Sequence, residues 1–173
     1  MTKKQEFLKT VGVTCERGAM QNSIVAAFQR NKVYNGNPSL ADREELRRVL
    51  RSKIRSLALG YSAIITEAKH CKNISSLADS MTRQFARILL GGRFKIGTAQ
   101  KALNLYLKFL WCLGIHPAPP HCPLDGIILK KVSVYGAWTK MDCIDTYKTW
   151  MEMIGKKASP QSIAEWELEK WKR

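Results

Sequence analysis

The 173-residue sequence has few features of secreted, membrane-spanning or disulfide-stapled proteins. Its five cysteines are scattered without a CxxC pair, which predicts reduced thiols and no disulfide framework. The N-terminal residues contain no apolar stretch long enough for a signal peptide. The most apolar run, residues 103–113, is interrupted by Lys108 and is too short to span a bilayer. We therefore expect a cytoplasmic protein.

Several common chemical motifs are also missing. The sequence contains no Walker loop and no dinucleotide fingerprint. His116, His121 and Cys122 fall in one loop region without a fourth ligand at zinc-like spacing. His70-Cys71 has no recognisable third partner for nucleophilic catalysis. We expect neither a metal nor another cofactor.

Acidic residues are scarce relative to basic ones. The chain has 29 Lys and Arg against 14 Asp and Glu, a formal net charge of +15. Solubility alone is achieved with much smaller imbalances, whereas a strongly basic surface attracts polyanions by releasing their condensed counterions. The charge therefore predicts a nucleic acid as the partner. Hydrophobic residues make up 45%, enough for a real core, so we expect one domain over residues 1–173.

Helical periodicity dominates the chain, and the alternation typical of strands is nearly absent. The pattern predicts an all-α protein of about eight helices in two closely packed lobes. Residues 98–113 form the most apolar predicted helix. Apolar side chains cover most of its circumference, which indicates a central, enclosed position. The other predicted helices are 17–29, a long one capped by Ser39, 61–69, 77–90 capped by Ser75 or Ser76, a short one after Asp125, 139–154 and 160–171.

Residues 93–132 contain the most informative pattern. Small residues at 96–99 predict a tight turn that opens directly into a helix, whose first amides can accept an anion. Lys101, Asn104 and Lys108 form a polar strip on this otherwise apolar helix. Asp125 follows a proline-stiffened loop and precedes an apolar helix. A helix cap is the commoner role for such an aspartate, and it stands as the alternative to a catalytic one.

Together these features resemble the helix–hairpin–helix DNA glycosylases, nearest to their 8-oxoguanine glycosylase branches. Gly97 matches the first glycine of that family's hairpin, Ala99 stands where a second glycine is usual, and Lys101 matches the lysine. Leu124-Asp125-Gly126-Ile127-Ile128 resembles the segment that carries the catalytic aspartate. The resemblance covers residues 93–132 and includes no cysteine cluster for an iron–sulfur site.

The resemblance implies an enzyme that removes a damaged or modified base from double-stranded DNA after flipping it out of the helix. Asp125 would stabilise the positive charge that develops on the sugar. Lys101 would attack C1′ as an amine, with AP-lyase activity, or bind phosphate if it stays protonated. Asp125 and Lys101 should then lie around the same extruded nucleotide. The residues of this segment expected to bind DNA are Gly97, Thr98 and Ala99 at the hairpin and Asn104 and Lys108 on the helix that follows.

Two further predictions concern DNA contacts. Arg43, Arg47, Arg48 and Arg51 share a helical face that we expect to contact phosphates, with a merely solvated face as the alternative. Trp138, beside Gly136-Ala137, is the aromatic residue expected to stack on a base, although core packing is the commoner role.

Three functions fit this sequence. A compact glycosylase would serve DNA repair, or defence against phages whose DNA carries modified bases. A non-catalytic helical DNA-binding protein explains the charge equally well but gives no reason for Asp125 and Lys101 to converge. The third is a basic protein that binds an acidic protein partner.

Overall fold

The computed structural model describes residues 1–171, and all regular structure in this range is helical. The prediction of an all-α protein is confirmed. The helices are α1 (Lys3–Val11), α2 (Glu16–Phe28), α3 (Leu40–Ala58), α4 (Glu67–Phe85), α5 (Ile96–Cys112), α6 (Gly126–Lys131), α7 (Ile144–Ala158) and α8 (Ile163–Lys170).

Helix α5 lies at the centre of the fold, as its apolar circumference predicts. All 17 of its residues are buried. It packs mainly against α2 and α4, and also contacts α1, α3 and α7. Each large apolar side chain enclosed this way contributes about 1.5–3 kcal/mol of hydrophobic stabilisation. The polar residues of α5 must therefore find partners inside the protein.

Two helix starts follow the predicted caps. The Ser39 hydroxyl accepts a hydrogen bond from the backbone N–H of Asp42 at 3.1 Å and begins α3. Asp125 Oδ1 accepts from the N–H groups of Ile127 and Ile128, each at 3.0 Å, and begins α6. Asp125 is thus a helix cap, whatever else it does. The sequence pattern did not predict α1.

The predicted boundaries around α4 are wrong. Tyr61 belongs to a single 3-10 turn, Leu59–Tyr61, and α4 begins only after Thr66, whose hydroxyl accepts from the Lys69 N–H at 3.2 Å. Ser75 and Ser76 lie inside α4 and cap nothing. A continuous buried face outweighs the local preference of serine for helix ends. That face consists of His70, Cys71, Ile74, Leu77, Ala78 and Met81.

Helix α7 begins at Ile144, five residues later than predicted, because the Asp142 side chain binds groups at the start of α5. Its Oδ1 accepts the N–H of Ile96 at 3.1 Å, at the start of α5. Arg93 binds the same carboxylate at 3.1 Å and Asp79 at 2.7 Å. These contacts hold residues 141–143 in a non-helical connection beside α5.

Two findings concern membrane-spanning helices and disulfides. None of the helices within residues 1–171 combines the length and apolarity that crossing a membrane requires. All five cysteines are free thiols.

Candidate functional site

A cleft of about 690 Å³ opens on one side of α5. Its walls come from α1, α2, α5 and α6, with residues near the end of α8 and the 3-10 turn Trp138–Lys140 closing it. This volume is within the usual range of small-molecule sites. The charged lining comprises four basic and two acidic side chains: Arg30, Lys101, Lys108, Lys130, Asp125 and Glu167.

Lys101 and Asp125 form an ion pair in this cleft. Lys101 Nζ lies 3.1 Å from Asp125 Oδ2, and the two side chains are only 9% and 17% exposed. The other oxygen, Oδ1, caps α6, so both carboxylate oxygens are held. The structure thus brings together the two residues that were expected to face one nucleotide.

The Gln100 side chain positions the segment that carries Asp125 against α5. Its side-chain Nε2 donates to the Leu124 carbonyl at 3.2 Å, and its Oε1 accepts the Leu124 N–H at 3.0 Å. Gln100 precedes Lys101, and Leu124 precedes Asp125. The amide clamp on Leu124 therefore sets the carboxylate beside the first turns of α5.

Trp138 lines the same cleft and is half-buried. Its ring centroid lies 5.8 Å from Lys101 Nζ, within the range of a cation–π contact. A carboxylate, an ammonium group and an aromatic face thus meet at one concave surface. Such a surface can bind a flat, polar ligand and stabilise a positive charge that develops on it.

Lys108 is placed differently from the sequence prediction. Its Nζ lies 2.7 Å from Glu167 Oε2, and the two side chains are 3% and 1% exposed. The Phe7 ring centroid is 3.9 Å from the same Nζ. Burial raises the pKa of Glu167, while the nearby Lys108 charge opposes that rise. Lys108 forms an interior ion pair, and its buried Nζ is not accessible to a phosphate.

The predicted hairpin residues also have structural roles. The Gly97 N–H donates to the Met141 carbonyl at 2.8 Å, and a Cβ at residue 97 would lie 1.8 Å from the Trp138 carbonyl oxygen. Thr98 Oγ1 accepts from Asn31 Nδ2 at 3.0 Å, and Ala99 is fully buried. The predicted backbone contacts of Gly97, Thr98 and Ala99 are corrected accordingly. The protein's own residues 138–141 cover the start of α5 and leave no surface for a DNA strand.

Asn104 lies in a buried polar network and not at a DNA surface, which corrects its predicted role. Its Oδ1 is 2.9 Å from His70 Nε2, and its Nδ2 is 3.0 Å from the Tyr147 hydroxyl. The same hydroxyl is 2.9 Å from His121 Nδ1. Burial lowers the pKa of His70 to about 4 and that of His121 to about 3. Both histidines are therefore neutral near pH 7.

The loop histidines His116 and His121 lie in different surroundings. No group of three or more His, Cys, Asp or Glu side chains suited to a metal ion occurs among the residues described. His116 lies near Pro117 at a small separate pocket, whereas His121 belongs to the buried network. The two histidines of the incomplete metal pattern in the sequence therefore lie in separate places.

The four arginines predicted to share one face divide into two groups. Arg43 Nε donates to the Pro38 carbonyl at 2.9 Å, and Arg48 binds Glu45 through two bonds of 2.7 and 2.6 Å. Arg47 and Arg51 instead line a separate groove between α2 and α3.

The sequence did not single out Arg30, Lys130 or Glu167. Only the fold brings these three to the cleft.

Comparisons with known proteins give no match to a protein family model, a curated protein or a solved structure. The resemblance of residues 93–132 to DNA glycosylases stays a prediction from the sequence. Any function assigned to the cleft rests on its side chains and on that resemblance.

Proposed function

We propose that this chain is a DNA glycosylase that hydrolyses the N-glycosidic bond of a damaged or modified base and leaves an abasic site. One observation carries the proposal: Lys101 Nζ and Asp125 Oδ2 lie 3.1 Å apart in a cleft of about 690 Å³ that Trp138 also lines. The net charge of +15 supports DNA as the partner. The motif resemblance over residues 93–132 supports the reaction.

Asp125 suits the hydrolytic step. As the bond from C1′ to the base nitrogen breaks, its electrons leave with the base and positive charge builds on the sugar. A carboxylate already fixed by two backbone N–H groups needs no reorganisation to stabilise that charge. Water then adds to C1′, its proton passes to the carboxylate or to solvent, and the departing base is protonated.

Lys101 suits either of two roles. With its proton retained, it holds Asp125 and binds an oxygen of the nucleotide. Alternatively, Nζ passes a proton to Asp125 Oδ2 and attacks C1′ as the base departs with the bonding electrons and takes a second proton from the new amine. The C1′–O4′ bond then breaks, O4′ takes the proton held by Asp125, and the Schiff base between Nζ and C1′ permits strand cleavage. Borohydride reduction separates the two roles, because it traps only the Schiff base.

The proposal makes the cleft between α2 and α6 the DNA-binding cleft. Trp138 stacks on the extruded base, and the exposed side chains of Arg30 and Lys130 at the rim contact phosphates on either side. The segment from the start of α5 to Asp125 is the element that resembles a helix–hairpin–helix unit. In this proposal the segment positions Lys101 and Asp125 and does not bind the DNA backbone.

A second candidate is a non-catalytic helical DNA-binding protein. It is favoured by the fact that Asp125 caps α6 with one oxygen and neutralises Lys101 with the other. Both side chains then have complete structural roles without chemistry. This candidate predicts DNA binding with no release of base.

The test is incubation with a panel of duplexes that each carry one modified base, followed by abasic-site detection. We expect one or more duplexes to yield abasic product with the wild type but not with Asp125→Asn. Lys157→Gln, a change at an exposed lysine of α7 that does not line the cleft, is the control that retains product. Binding without product on the whole panel would favour the second candidate. Plaque assays with phages of modified and unmodified DNA distinguish defence from repair.

A further inference from the structure

A second basic surface lies outside the cleft, in a groove of about 370 Å³ between α2 and α3. We propose that this groove binds consecutive phosphates of one nucleic-acid strand. The inference relies on the proposed function only in taking nucleic acid as the ligand. Four arginines line the groove: Arg17, Arg47, Arg51 and Arg55.

The arginines are spaced regularly. Arg47, Arg51 and Arg55 follow one another at intervals of four on α3, so neighbouring positions are about 6 Å apart and the row is about 12 Å long. One strand rises about 3.4 Å per nucleotide in a duplex, so the row is as long as roughly three to four nucleotides. Arg17 faces this row from α2. Planar guanidinium groups arranged this way suit bidentate binding of phosphate oxygens.

The groove arginines also differ from other arginines of the protein in having no carboxylate partner, although the Arg47 guanidinium carbon lies 5.3 Å from the Phe28 ring centroid. Across residues 1–171, no carboxylate lies within 4.0 Å of any of these four side chains. Arg48 and Arg87, by contrast, are paired with Glu45 at 2.6 Å and Asp42 at 3.2 Å. Four cations gathered around one groove without a carboxylate repel one another, and a polyanion relieves that repulsion.

The groove is adjacent to the candidate active site. Helix α2 forms one wall of each: Asn22 and Ala26 line the cleft, while Gln21 and Val25 line the groove. The two surfaces are therefore separated by about one helix width, roughly 10–12 Å. A strand whose nucleotide enters the cleft can cross α2 and lay its next phosphates along the arginine row. The groove would thus hold the strand that flanks the target base.

The experiment compares two triple variants with the same change in charge. Arg47→Gln/Arg51→Gln/Arg55→Gln removes three of the four groove arginines, and Arg43→Gln/Arg48→Gln/Arg87→Gln removes three arginines that lie outside the groove and bind protein oxygens. Affinity for a fluorescent 20-base-pair duplex is measured by anisotropy over a salt series. Circular dichroism melts check that each variant folds, and Arg51→Glu serves as a single change with the same expected direction.

We expect the groove variant to weaken binding at least tenfold and to lower the slope of log K against log salt by about 2–3. The control variant should bind within about threefold of the wild type. Equal losses in both variants would mean that diffuse charge attracts the DNA, and this would overturn the proposal. The proposal would also be overturned if the groove variant lost no affinity or if the wild type did not bind the duplex. Base release is a separate readout, so a failure of the enzymatic proposal leaves this result interpretable.

Discussion

Lys101 Nζ lies 3.1 Å from Asp125 Oδ2, although 24 positions separate the two residues in the chain. The Gln100 side chain binds both backbone groups of Leu124 and so joins α5 to the segment that begins α6. The pair is mostly buried and opens into the cleft that Trp138 lines. These contacts give the proposed chemistry its geometry, and they make separate predictions for activity and stability.

Lys101→Gln should lower base release by about 10²-fold or more, because the variant has neither a nucleophile nor a cation beside the carboxylate. Any borohydride-trapped adduct should disappear with it. Lys157→Gln removes an exposed lysine of α7 that does not line the cleft, and it should keep both activities within a few-fold. Gel analysis of trapped complexes and quantified abasic sites measure the two readouts. An adduct that persists in Lys101→Gln would exclude this lysine as the nucleophile.

Gly97→Ala should destabilise the protein and distort the cleft. The new Cβ would lie 1.8 Å from the Trp138 carbonyl oxygen and 3.2 Å from that of Met141, so the turn that carries Trp138 must move. We expect a loss of about 1–3 kcal/mol in the free energy of unfolding. Gly126→Ala is the matched control, since its Cβ would meet no atom within 4 Å. Urea denaturation of both variants checks this, and equal stability would contradict the close approach.

Lys108→Met should be strongly destabilising, by about 3–5 kcal/mol, because it leaves the buried Glu167 carboxylate without its cation. The double variant Lys108→Met/Glu167→Leu should recover most of the loss, since it leaves no uncompensated charge in the interior. Thermal and urea melts of the two variants measure the difference. A double variant no more stable than the single one would contradict the assignment of the loss to an orphaned charge.

Stability should fall as the pH is lowered below about 6.5. Burial lowers the pKa of His70 to about 4 and that of His121 to about 3. The unfolded chain, with histidine pKa values near 6.5, therefore binds more protons than the folded protein in this window. Each histidine should cost about 1.4 kcal/mol per pH unit until the pH reaches its folded pKa.

His121→Gln should have a shallower dependence of stability on pH than the wild type between pH 6 and 4.5. Urea melts of the two proteins at several pH values measure the slopes. Identical slopes in both would mean that His121 is not held neutral by its surroundings.

Local sequence signals predicted much of the fold. The enclosed α5 and the caps at Ser39 and Asp125 depend on apolar spacing and on residues within one helical turn. The start of α4 was misassigned because Ser75 and Ser76 resemble caps, whereas tertiary burial of their helix decides the boundary.

Contacts between distant segments could not be predicted in this way. Nothing near Lys108 in the sequence indicates that Glu167 on α8 neutralises it. The start of α5 has the small residues of an anion site, but Met141 occupies the Gly97 N–H. The polar strip on α5 predicted DNA contacts for Asn104, and only the fold shows that Asn104 finds its partners inside the core.

The most direct test compares wild type and Asp125→Asn on one duplex, with free base quantified by mass spectrometry and affinity measured in parallel. Asparagine can still cap α6, so the variant should fold and bind DNA within about threefold of the wild type. Its base release should fall by at least about 10²-fold, because the amide carries no charge to stabilise the sugar cation. Equal release by the two proteins, or no release by the wild type from any modified duplex, would contradict the account.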